Sequence, residues 1–142
     1  MVVAAGLALA VGALLLIRPR IGPTLSGASP SDLSASGIVL LNPFPWDTPQ
    51  VHLSDAQQTA LNREPAGTSS SQSALAEVIE THGSSKLPRL CWVFSLPGNL
   101  VLTHGPPGSP RGHATYYLVL IDAHTGEFVQ GVAGGTVYLY GP

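Results

Sequence analysis

At 142 residues, with a net charge of −2 and only 10% charged side chains, the chain has room for one domain plus flanking segments. Its six basic residues are scattered singly, which excludes the basic stripe that nucleic-acid phosphates require. The single cysteine, Cys91, excludes an intrachain disulfide and leaves the compartment open.

Residues 2–17 are an unbroken, uncharged run of Ala, Val, Leu, Ile and Gly. As a helix the run rises about 24 Å, against a hydrocarbon core of roughly 30 Å. It reads as a short signal anchor or as the apolar part of a signal peptide. A buried core helix is the less favoured alternative, because the run is apolar on all faces and sits at the terminus. Arg18 and Arg20 follow the run and no basic residue precedes it, which favours a cytoplasmic domain. A basic region encoded upstream of Met1 would restore signal-peptide order and an extracytoplasmic domain, the placement preferred here. Ser26-Gly27-Ala28 is a weak cleavage pattern.

Residues 18–50 are rich in Pro, Gly, Ser and Thr, without a sustained period. Such a stretch buries too little apolar surface to offset chain ordering, so a disordered linker is expected. Ile38-Val39-Leu40-Leu41, followed by Asn42-Pro43-Phe44-Pro45-Trp46, departs from this composition. It suits an edge strand packed on the domain, with Phe44 and Trp46 over an exposed face, or a peptide that docks in a partner's groove.

Ser54-Asp55-Ala56-Gln57 has the form of a capping box, with Asp55 favourable at a helix N-terminus. Leu53, Ala56, Ala60 and Leu61 give the helix a narrow apolar stripe, and Pro65 ends it near residues 62–64. Residues 74–82 fit a helical stripe and a short strand about equally, with a slight preference for helix. Residues 90–96 and 115–121 are apolar on two faces and β-prone, so both are expected as central strands. Phe128, Val129 and Val132 make a weaker third strand, and residues 136–140 a short fourth. Between them, Asp122-Ala123-His124-Thr125-Gly126-Glu127 reads as a hairpin turn. Asp122 would accept backbone N–H groups there and Gly126 supply the positive φ.

The string from Tyr116 through Asp122-Ala123-His124-Thr125-Gly126-Glu127 to Val129 resembles the end of a PepSY domain. That family closes with a strand, an Asp-Ala-x-Thr-Gly-Glu turn and an apolar strand. Residues 53–60 resemble its opening helix and 90–96 its aromatic middle strand, so the resemblance covers about residues 51–133. It implies an α+β fold, with one helix packed on a small antiparallel sheet of three to four strands. It tips residues 74–82 towards a strand beside 90–96. The insert 97–113 departs from the family's short turn. The expected organisation is an apolar helical segment at 1–17, a linker at 18–50 and the domain at 51–140.

Five histidines, His52, His82, His104, His113 and His124, show no zinc-ligand spacing. His104 and His113 bracket a Gly/Pro loop where they could converge. Cys91 sits between Leu90 and Trp92 and reads as buried and inert. No G-x-S-x-G is present. The 97–113 loop lacks a Gly-Lys-Ser/Thr end, so it is not a phosphate loop. Its length marks it as a contact surface, with His104 and Arg111 as polar handles. Asp122, Thr125, Gly126 and Glu127 read as turn residues, and for Asp122 and Glu127 turn geometry outweighs acid–base work.

PepSY domains imply protein binding or peptidase modulation, usually outside the cytoplasm, with no catalytic residues. The expectation is therefore a non-catalytic, membrane-tethered or exported binding module, without cofactor or resident metal. Its partner would be another protein, met through His104, Arg111, Phe44 and Trp46. Two alternatives stand beside it: a small extracytoplasmic metal protein or enzyme using His104, His113 and His124, and an accessory subunit of a membrane complex docking through residues 38–46.

Overall fold

A computed structural model of the chain describes residues 20–64, 71–82, 87–102, 111–135 and 138–140. The apolar run at 2–17, Arg18 and His104 lie outside the described residues.

Two strands organise the fold. β3 (Arg89–Leu102) and β4 (Arg111–Asp122) pair antiparallel through Cys91↔Asp122, Phe94↔Val119 and Pro97↔Tyr116 to Leu102↔Gly112, with an irregularity between Pro97 and Leu100. Their side chains alternate between two apolar faces. Cys91, Val93, Tyr116, Leu118 and Leu120 enter one core; Phe94, Leu96, Val119 and Ile121 enter another. β2 (Gln72–Glu80) flanks β3, and β1 (Ile38–Leu41) flanks β2 as the edge. On the other side β4 pairs with β5 (Phe128–Gly134) and, at its start, with β6 (Tyr138–Tyr140). The result is a curled six-stranded antiparallel sheet in the order β1-β2-β3-β4-β5, with β6 beside β4.

Each face has its own cover. α2 (Leu53–Leu61) lays Ala56 and Ala60 on Phe94, Leu96, Val119 and Ile121. Residues 20–36 roof the opposite face, where Leu25, Ala28 and Leu33 meet Val93, Tyr116 and Leu118. Within this roof α1 (Pro30–Ala35) begins at a reciprocal capping box between Ser29 and Asp32, with Pro30 in its first turn. It stops at Gly37, whose φ of 76° ends the helix before β1.

The expected fold, one helix on three to four strands after a disordered linker, is corrected by this architecture. Among the described residues the sheet has six strands, and the supposed linker supplies α1 as well as β1, the edge strand that residues 38–41 suited. The physical reason is the doubly apolar β3–β4 pair. A nine-residue helix covers one face of it, and the other would stay wet without residues 20–36. Leaving such a face exposed costs about 1.5–3 kcal/mol for each large side chain.

Two local expectations also change. α2 starts at Leu53 with His52 as N-cap, and the His52 side chain makes no capping hydrogen bond; the His52 carbonyl instead accepts from the Asp55 and Ala56 amides at 3.1 Å. Burial of Ala56 and Ala60 sets the phase of this helix, not the Ser54–Gln57 pattern. The insert 97–113 is partly regular structure, since Leu100–Leu102 pair with Ala114–Gly112 and prolong the β3–β4 hairpin.

Gly22 passes so close to β1 that an added Cβ would fall inside the Leu40 carbonyl. Gly22→Ala is therefore expected to lower stability by about 1–3 kcal/mol. A denaturation midpoint equal to that of the parent chain would show that the roof does not bear on β1.

Candidate functional site

Phe44 and Trp46 belong to a tight turn. Pro45 presets its first corner, the Asp47 amide donates to the Phe44 carbonyl at 3.0 Å, and the Phe44 amide donates to Asp47 Oδ2 at 2.6 Å. The turn stacks the two rings at 4.6 Å with 9° between their planes. On the far side of Phe44 lies the Arg20 guanidinium, 3.6 Å from the ring centroid. Arg20 Nη1 in turn donates to Glu77 Oε2 on β2 at 2.5 Å. Four side chains thus form a column from the sheet to solvent, ending at Trp46, which is 64% exposed. A cation–π contact of this kind contributes about 0.5–2 kcal/mol, and it holds the Phe44 ring on which the Trp46 indole stacks.

Beside β1, and separate from the column, lies a cavity of about 350 Å³ lined mainly by Ile21, Pro23, Ala28, Leu33, Ile38 and Leu40. Ile21, next to Arg20 in the chain, is 76% exposed.

The turn after β4 does structural work. Asp122 Oδ1 accepts the amides of His124 and Thr125 at 2.8 and 3.0 Å, and Thr125 Oγ1 accepts the Glu127 amide. Gly126 takes a φ of 77° and lies against Val51. The Ala123 carbonyl accepts the amides of Gln50 and Val51, and Trp92 Nε1 donates to the Val51 carbonyl at 2.9 Å. The hairpin therefore fixes the segment that leads into α2.

Cys91 is fully buried, and its thiol is pushed up to about 12, first by burial and then by the nearby Asp122 carboxylate, with Arg89 opposing. Tyr116 is also fully buried; its hydroxyl has no hydrogen-bond partner among the described residues. Burial first, and Asp32 second, raise this phenol above its ordinary value, with the Ser36 side chain offsetting part of the effect.

At the other end of the sheet, β3 and β4 continue as an arm beyond Ser95, the last β3 residue paired to β2. Here His113 Nδ1 lies 2.8 Å from Asn99 Oδ1, and Val101, opposite His113 in the ladder, is 47% exposed. Arg111 pairs through its backbone with Tyr140.

The structure brings Phe44 and Trp46 together and places Arg111 at the arm, away from them. His113 and His124 flank opposite ends of β4, roughly 30 Å apart at the rise of a strand, so they cannot share one ion. Among the described residues no group of three His, Cys, Asp or Glu side chains could hold a metal. Ile38 and Leu40 are buried in the sheet, whereas Asn42, Pro45 and Trp46 of the 38–46 stretch are exposed. Sequence reasoning missed Arg20 and Glu77 as members of the column. They lie 57 positions apart, and no local pattern links them.

No family model, curated protein or solved structure matches this chain. Among the described residues no helix is long and apolar enough to cross a membrane.

Three measurements test this chemistry. Because the folded Cys91 keeps its proton while the unfolded thiol loses it, the contribution of Cys91 to stability should be constant below about pH 9 and decline between pH 9 and about 12, with the raised Tyr116 phenol adding to the alkaline loss. Native Cys91 should resist a thiol-specific reagent until denaturant is added; rapid labelling of the native chain would contradict its burial. Asp122→Ala removes an acceptor for two amides and should cost about 1–3 kcal/mol in equilibrium unfolding.

Proposed function

We propose that the chain is a non-catalytic binding module, tethered to a membrane or exported through residues 2–17, which meets a protein partner with its β3–β4 arm. One observation carries the reading. The arm runs past the end of β2 and holds exposed Val101 beside the paired Asn99 and His113. An apolar centre with hydrogen-bonding neighbours is the form that small protein contacts take. Leu100 and Ala114, by contrast, are buried, so the arm is an ordered extension of the sheet and binding there needs little further ordering.

The hairpin at residues 122–127 carries the resemblance to PepSY domains. That resemblance supports a peptidase or another envelope protein as the partner class. The extracytoplasmic placement rests on the same resemblance and on the apolar run.

The test is a photo-crosslinking residue placed at Val101 in the full chain within its own membranes, with Gln58 on α2 as the control position. A discrete adduct from position 101 and none from 58 is expected. Val101→Asp should abolish co-purification of that partner while shifting stability by no more than about 0.5 kcal/mol. Identical adducts from both positions, or none from 101, would remove the arm from the reading.

A further inference from the structure

The Arg20–Phe44–Trp46 column lies at the base of the domain. Glu77, which anchors it, is level with Leu90 in the β2–β3 ladder, whereas Val101 is eleven residues further along β3. At the rise of a strand this places column and arm about 30 Å apart. The column is also where the chain leaves the apolar run. Arg20 is the third residue after Ile17, so no more than about 11 Å of extended backbone separates them.

The chemistry of this base is that of a bilayer interface. Trp46 is exposed and its ring is held by stacking; Ile21 is exposed beside Arg20; and the guanidinium is held between a ring and a carboxylate. Indoles collect at the headgroup level, where one part of the ring is apolar and the other hydrogen-bonds. Arginine at the end of an apolar segment keeps its head at the same level while its stem lies along apolar surface.

We propose that this base rests on the phospholipid interface, with Trp46 and Ile21 entering the headgroup region of the bilayer that holds residues 2–17. The proposal rests on the tethered reading above. Because Glu77 already pairs with Arg20, the contact is apolar in origin. It needs no anionic lipid and differs in this from a polybasic patch, whose attraction depends on lipid charge.

The full chain reconstituted into phosphatidylcholine vesicles tests the proposal, using lipids brominated high on the acyl chain as quenchers. Trp46 emission should be blue-shifted and fall roughly two-fold on bromination, as expected of an interfacial indole. The loss should be absent in Trp46→Phe and unchanged when phosphatidylserine is added. In the Trp46→Phe background, Ile21→Trp should be quenched and Val101→Trp should not. A chain that survives an alkaline wash with Trp46 unquenched would overturn the proposal and leave the tether standing, assigning the column to a protein partner. A chain washed off the vesicles would overturn both. Quenching only with phosphatidylserine would also overturn the proposal, since it would show electrostatic adsorption.

Discussion

The interior of this protein is governed by two adjacent strands that are apolar on both faces. β3 and β4 send Val93, Leu118 and Leu120 to one side and Phe94, Val119 and Ile121 to the other. A sheet of this kind is stable only between two layers. The second layer explains most of what surrounds it. α2 is short and contributes small residues, Ala56 and Ala60, which bring its backbone close to the sheet. The opposite side is filled by the roof at residues 20–36, bound where Ser95 Oγ donates to the Ser26 carbonyl at 2.6 Å and the Ser26 amide donates to Gln72. Both covers precede β2 in the chain, so every later strand packs beneath residues that lie earlier in the sequence.

How much of this could be read in advance depended on how local each cause is. The central strands were legible because two-faced apolarity shows in any short window. Asp122 was legible because its work lies within three residues of itself. Residues 74–82 fit helix and strand about equally, since Leu75, Val78 and Ile79 suit either period, and pairing with β3 makes residues 72–80 a strand. α1 was invisible for a different reason. A six-residue helix has no measurable periodicity, and its signals, Ser29, Pro30 and Gly37, are the residue types that also mark a flexible linker. The Ser54–Gln57 pattern misled in the opposite sense: a local capping signal gave way to burial of Ala56 and Ala60.

The candidate site divides along the same line. Phe44 and Trp46 stand out in any reading because large aromatic residues among prolines have few structural uses in a linker. That they are stacked, and on what, is decided by Arg20 and Glu77, which the fold brings together from distant positions. Val101 and Asn99 were absorbed into a loop because Pro97 and Gly98 look like a stop. The ladder passes that point through an irregularity between Pro97 and Leu100 and then resumes, as bulged strands do.

The roof also determines how the domain is held. A disordered linker of some thirty residues would let a tethered domain wander over a wide volume. Here the chain is engaged from its first described residue. Arg20 is fixed to Glu77 and Phe44, Gly22 lies against Leu40, and Leu25 is in the core. Almost no slack remains between the apolar run and the folded sheet. Under the tether proposed above, so short a connection would restrict how far the domain could stray from its anchor, with the long β3–β4 pair as a strut. With the column seated on the bilayer, the arm projects about 30 Å along the strand direction. On that proposal, a partner met by the arm would lie at a defined distance from the membrane, a constraint that a flexible tether would not impose.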